Sequence, residues 1–336
     1  MKLSSRFALV VALCAGLATA QPARPGGDTT MLSDGKLHVI LCGTGSPLPD
    51  PERAGACVAV VAAGQVILID AGPGSWRKAM VSAVPGQALS AVLVTHYHSD
   101  HIGDLGEAMT MSWTNGRAKP LDVYGPAGLA EVVRGFNQVY ALDKGYRVAH
   151  HSAAFVPPEA HDMIAHEVAV KNAQSKTLVF EKNGLKAYAF AVDHRPIVPA
   201  YGYRIEYSGR SVVVSGDTAA CENVARQAQG ADILIHDAMA KTLVSFAAAA
   251  MDNQGQKRTA KMLRDILGYH ASTAEAAKAA ADAKVATLVL THLVPPPANA
   301  GGERPFLAGL SEIFSGKTVV GRDGLRFDLE PVLQPQ

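Results

Sequence analysis

The sequence predicts an α/β layered domain. Short Val/Ile-rich runs recur along most of the chain, helical patterns follow them, and strands fall in both halves with helices between, which implies sheets covered by helices. Strands are expected at 37–41, 58–61, 66–69, 91–94, 123–124, 185–192, 203–207, 211–214, 233–235 and 288–290, several of them ending in polar residues. Helices are expected at 76–83, 105–113, 126–142, 224–228, 259–267 and 273–283. The last opens on "STAE", where Ser272 caps free amides and Glu275 reaches back, a capping box. Residues 143–183 lack clear periodicity and read as an inserted loop region. No repeat short enough for a solenoid is visible.

The chain has 336 residues, is 48% hydrophobic and carries a formal net charge of +1, enough to bury the core of one large or two small domains. Near-neutral charge without strong Lys/Arg clustering offers no electrostatic reason for a polyanionic partner, so no nucleic acid is expected. The first 20 residues stand apart: "MKLSSR" is a basic start, "FALVVALCAGLA" is an apolar run too short to span a bilayer comfortably, and Ala18-Thr19-Ala20 is an A-x-A cleavage pattern. Residues 1–20 therefore read as a secretory signal peptide, 21–35 as a flexible segment and 36–330 as the main domain, periplasmic or secreted, with no stable membrane anchor after cleavage. A lipid on Cys14 is disfavoured by the bulky Leu13, and a retained anchor helix is the other alternative. In an oxidising compartment Cys42 and Cys57 could pair, leaving Cys221 over; equally, all three could be small buried hydrophobes.

One stretch departs from ordinary composition. "THYHSDHIGD" (95–104) places His96, His98, Asp100 and His101 within six positions, between an apolar strand and a helix that begins near Gly103. In an extended loop alternate side chains point the same way, so His96, His98 and Asp100 would converge while His101 takes the opposite side, and one loop could serve two adjacent metals. Imidazole and carboxylate are ligands that suit Zn²⁺, with iron and manganese as compatible substitutes. A lone histidine is more often a surface or satisfied core residue; four such residues this close reverse that reading.

These residues resemble the H-x-H-x-D-H signature of the metallo-β-lactamase superfamily. The resemblance extends from about 37 to 327 and takes in "GTGSP" (43–47), "LIDAGPG" (68–74), "SGDT" (215–218) and "LTHL" (290–293). It implies a four-layer αβ/βα sandwich. Within the superfamily the chain is most similar to the ribonuclease Z branch and the zinc arylsulfatase-type enzymes grouped with it, through "VDHRPIVPAYGYRIEY" (192–207) and "HAST" (270–273). By this resemblance His194 completes one zinc site with His96 and His98, His292 completes a second with Asp100 and His101, and Asp217 bridges both.

Two such metals share a water, lower its pKa toward neutrality and clamp the oxygen on which charge develops. Asp100 would orient or deprotonate that water and His270 would protonate the leaving group. Where the branch carries H-E-A-T this chain has "HDA" (236–238), so Asp237 is the expected orienter of His270 and His236 is structural. The short interval between His194 and Asp217 leaves no room for the long tRNA-grasping arm of ribonuclease Z enzymes. The expectation is therefore an exported dinuclear zinc hydrolase of small-molecule sulfate or phosphate esters. A lactonase or β-lactam hydrolase is the alternative, followed by a mononuclear-iron sulfur dioxygenase-like enzyme. His150 and His151 are placed as candidate pocket residues, and a homo-oligomer is left open.

Overall fold

A computed structural model of the chain describes residues 26–332, except 173, 298 and 300. The expected signal peptide at 1–20 and the beginning of the 21–35 segment lie outside these residues. The first half runs β1 (Leu37–Gly43), β2 (Cys57–Ala62), β3 (Gln65–Ile69), α1 (Ser75–Val81), β4 (Leu89–Leu93), α2 (Ser99–Ile102), α3 (Leu105–Thr114), β5 (Leu121–Gly125), α4 (Leu129–Val139), α5 (Ala141–His151) and β6 (Met163–Glu167). The second half continues with β7 (Lys176–Lys182), β8 (Leu185–Ala191), β9 (Tyr201–Tyr207), β10 (Arg210–Val214), α6 (Glu222–Gln227), β11 (Ile233–Met239), α7 (Lys241–Asn253), α8 (Lys257–Ile266), α9 (Thr273–Ala283) and β12 (Thr287–Val294). It closes with α10 (Arg304–Leu307), α11 (Leu310–Ile313), β13 (Lys317–Val320) and β14 (Arg326–Leu329).

Two seven-stranded sheets result, in the orders β14-β1-β2-β3-β4-β5-β6 and β13-β12-β11-β10-β9-β8-β7. Their packing follows from strands that are apolar on both faces. Along β1, Ile40 and Cys42 face the outer helices, while Val39 and Leu41 face the other sheet. In β3, Val66 and Leu68 point outward and Ile67 and Ile69 inward. Burying each such Leu or Ile is worth roughly 1.5–3 kcal/mol. Trp76 of α1, Met109 of α3 and Leu129 of α4 cover the first sheet, and Val224 of α6 and Ala276 and Ala280 of α9 cover the second. The layers are therefore helix, sheet, sheet, helix, the four-layer αβ/βα sandwich that the resemblance implied.

Connectivity positions the site. β3 through β6 are parallel neighbours in one sheet and β10 through β13 in the other, so each set delivers its C-terminal ends to one edge. β14 returns to pair antiparallel with β1, tying the end of the described chain to the first sheet. Cys42 and Cys57 form a disulfide between β1 and β2, and Cys221 is free.

Several expectations need correction. Residues 143–183 are not a loop region: they contain most of α5, then all of β6 and β7. No residue of α5 is buried, and in β6 and β7 only Met163 and Phe180 are, so no core-facing run marks these segments. The helix expected at 126–142 is interrupted at Tyr140, which ends α4 and precedes α5. α7 was not expected; it buries only Val244 and Ala248. Among the described residues no helix is long and apolar enough to cross a membrane.

Candidate metal centre

β4 ends two residues before Thr95, and His98 is the N-cap of α2, with extended backbone. Alternation holds for His96 and His98 but stops there. Because α2 starts at Ser99, helical geometry sets Asp100 and His101 on consecutive positions of one turn, and both join His292 in a buried group. The expectation that Asp100 would face with His96 and His98, away from His101, is thus corrected. His194 arrives from the loop after β8, Asp217 from the loop after β10, and His292 from β12 itself.

The ligand atoms are close. His96 Nε2 lies 2.8 Å from His98 Nδ1, and His194 Nε2 lies 3.5 Å from that same atom. In the second group His292 Nε2 is 3.1 Å, and His101 Nε2 3.5 Å, from Asp100 Oδ2. Asp217 Oδ2 stands between them, 3.9 Å from His96 Nε2 and 3.3 Å from the Nε2 atoms of both His101 and His292. A tetrahedral zinc ion with bonds near 2.0–2.1 Å holds its ligand atoms about 3.4 Å apart, so the spacing fits. His101 Nε2 is also buried with no hydrogen-bond partner among the described residues, which a metal would supply. The cluster is able to bind metal, and its nitrogen and oxygen donors suit a pair of zinc ions.

Neighbours orient the rings. His101 Nδ1 donates to Asp70 Oδ2 at 2.8 Å, and His194 Nδ1 donates to the Tyr269 carbonyl at 3.1 Å, which turns both Nε2 atoms inward. Asp70 also accepts from the Thr95 amide and hydroxyl, each at 2.8 Å. Sequence reasoning noted "LIDAGPG" but gave Asp70 no role; its signal was an acidic residue at the end of an apolar strand. Burial pushes the Asp70 carboxyl up, against the pull of His101. Burial likewise holds His96 well below the usual histidine range. For His101 burial is outweighed by Asp217 and Asp70, which keep it well above that range. Asp217 falls well below the carboxylate range because His292 and His101 overcome its desolvation.

His270 lies beside the cluster, its Nδ1 3.1 Å from Asp237 Oδ2, and its ring stacks on His292 at 5.2 Å between centroids. Asp237 is buried in β11, where its amide donates to Ser215 Oγ. His236 Nδ1 bonds to the Asp237 carbonyl at 2.8 Å, a structural contact. A cleft of about 350 Å³ opens over the centre, with Asp100, Asp217, His270 and His292 in its wall. His150 and His151 do not line it; they end the exposed α5, so that expectation is corrected.

A family model described as "Beta-lactamase superfamily domain" matches residues 65–293. A ribonuclease Z of Mycobacterium bovis (strain BCG / Pasteur 1173P2) is 39% identical over 300 residues, covering 88% of this chain and 99% of the relative. One of Mycolicibacterium paratuberculosis is 40% identical over 290 residues, covering 85% and 96%. The crystal structure of human tRNase Z, short form, matches with a TM-score of 0.63 at 20% identity, covering 87% of this chain and 99% of that one, a likeness of fold.

These relatives overturn two expectations, that the substrate is a small-molecule ester and that nucleic acid is no partner, because proteins sharing nearly their whole length with this chain are named ribonucleases. Two physical steps had misled. Alignment this complete leaves no room for a long arm in the relative that this chain lacks, so the short interval before Asp217 does not separate the two. Net charge, moreover, sums the whole surface, whereas contact with a phosphate backbone is local. The chain is a metal-dependent hydrolase of the beta-lactamase superfamily and belongs there with the proteins named ribonuclease Z.

Proposed function

We propose that the chain hydrolyses a phosphodiester bond in RNA, with tRNA the first substrate to test. The observation that carries this reading is the pair of ligand groups meeting at buried Asp217, with the His270–Asp237 pair alongside. The relatives' names, ribonuclease Z and tRNase Z, support RNA as the polymer. In this reading His96, His98 and His194 would hold one zinc ion and Asp100, His101 and His292 the other, with the Asp217 carboxylate placed between the two groups. Bound zinc supplies an activated water near neutral pH and offsets charge growing on the phosphoryl oxygens. Asp100, on the cleft wall, orients the attacking water and takes its proton. His270 passes a proton to the leaving oxygen from Nε2, while Asp237 keeps Nδ1 engaged and the ring aimed.

The test is incubation of the zinc-loaded protein with end-labelled tRNA transcripts extended at either end. Discrete cleavage, abolished by chelation and by Asp217→Ala, is expected. Intact RNA at full zinc occupancy would overturn the reading.

The same chain is also proposed to work in the periplasm or outside the cell, beginning at Gln21. The N-terminal pattern and the Cys42–Cys57 disulfide support this, since disulfides persist in oxidising compartments. Mass spectrometry of the native protein should find the mature N-terminus; retention of Met1 would refute it.

A further inference from the structure

The cleft is not uniformly polar. Its outer wall is one face of α8, where Thr259, Met262, Leu263 and Ile266 recur at i, i+3, i+4 and i+7. Leu48, 38% exposed, lines the cleft as well, and Met262 is 59% exposed, so both the loop that carries Leu48 and α8 bring exposed apolar side chains to the cleft. On the Leu48 side lies Ser46, only 7% exposed, whose hydroxyl is buried and has no hydrogen-bond partner among the described residues. It belongs to the "GTGSP" segment, whose Thr44 carbonyl accepts from the Leu293 amide next to His292 at 3.2 Å.

That segment is held firmly. Asp323 accepts from the Thr44 amide at 2.9 Å and the Ala54 amide at 2.7 Å, and the Gly45 amide donates to the Ala54 carbonyl at 2.9 Å. An unpaired hydroxyl on a rigid loop, on a residue that lines the same cleft as the apolar face of α8, is a half-made binding site.

We propose that these walls form a subsite for one unstacked nucleoside next to the scissile phosphate. The base lies against Met262 and Leu263, and Ser46 hydrogen-bonds the sugar. The inference rests on the phosphodiesterase reading above. Volume supports a single nucleoside: about 350 Å³ is at the small end of ligand pockets and far too narrow for a duplex. A base also has an apolar face that such a wall accepts whatever the sequence, whereas a bare phosphate gains nothing from Met262.

The experiment compares two chromogenic diesters on the zinc-loaded protein, uridine 5′-(p-nitrophenyl phosphate) and methyl p-nitrophenyl phosphate, which has no base. The natural protein should favour the nucleoside ester in kcat/KM by about tenfold or more. Met262→Asp and Ser46→Ala should each reduce that ratio severalfold, mainly through KM, at unchanged zinc content, and Met262→Leu should restore it. Equal turnover of the two esters by the natural protein, or equal loss on both in Met262→Asp, would overturn the subsite and leave the phosphodiesterase reading standing. Failure of the fully zinc-loaded protein to cleave either ester would instead strike at that reading itself.

Discussion

Asp70 and His292 are both non-glycine residues with positive φ, at 59° and 48°. Such backbone costs roughly 1–2 kcal/mol, and it persists where surrounding contacts over-determine it. For Asp70 those contacts are three hydrogen bonds, from His101 and from both donors of Thr95. The carboxylate thus sets the tautomer of His101 and pins the strand end that leads to His96. Asp70→Asn keeps the shape but loses the charge behind His101, so zinc affinity should fall about 10–100-fold, as measured by competition with a chromophoric chelator. Unaltered affinity would confine Asp70 to bracing Thr95. The motif at 95–104 was legible because ligand types crowd into a few positions; Asp70 was not, because nothing in one isolated acidic residue says which ring it will meet.

At the scale of elements, α9 shows local chemistry serving a distant site. The Glu275 amide donates to Ser272 Oγ at 3.2 Å and the Ser272 amide donates to Glu275 Oε2 at 2.7 Å, so the capping box read from "STAE" forms. It begins two residues after His270 and so fixes where the segment carrying that ring enters α9. Ser272→Ala should cost about 1 kcal/mol, visible as a lower urea midpoint with unchanged m-value. No loss of stability would show the cap to be redundant with packing of Ala276 and Ala280. The strands that escaped notice, β6, β7, β13 and β14, are the four sheet edges. An edge strand is covered on fewer sides, and β14 alternates exposed and half-buried residues, so it lacks the continuous apolar run by which β1 and β3 were found.

For the molecule as a whole, the first two strands are joined covalently beneath the centre. Cys57 lines a small cavity behind Asp70, His101 and Asp217, so the bridge braces the floor on which the ligands stand. Closing a loop of sequence separation 15 should stabilise the fold by about 3 kcal/mol, chiefly by restricting the unfolded chain. Cys42→Ser combined with Cys57→Ser should therefore lower unfolding free energy by about that amount, read from urea denaturation of the zinc-free protein. A difference near zero would mean that strand pairing alone suffices there. Measuring without zinc matters, because a ligand bound only by the folded state adds its own stabilisation.

By itself the sequence determined what repeats or concentrates locally: the central strands, the capping box, the crowded histidine motif and, through resemblance, the candidate ligands at 194, 217 and 292, which the fold brings beside that motif. Each is a property of neighbours in the chain or of a recognisable short pattern. The resemblance had already grouped Asp100 with His101 and His292; the tertiary structure gave the physical reason, because α2 begins at Ser99 and strand-like alternation ends at His98. It alone brought Asp70 behind His101, placed α8 over the cleft and left His150 and His151 outside. Those relations join residues far apart in sequence, and hydrophobic periodicity records which side of an element is buried but not what it is buried against.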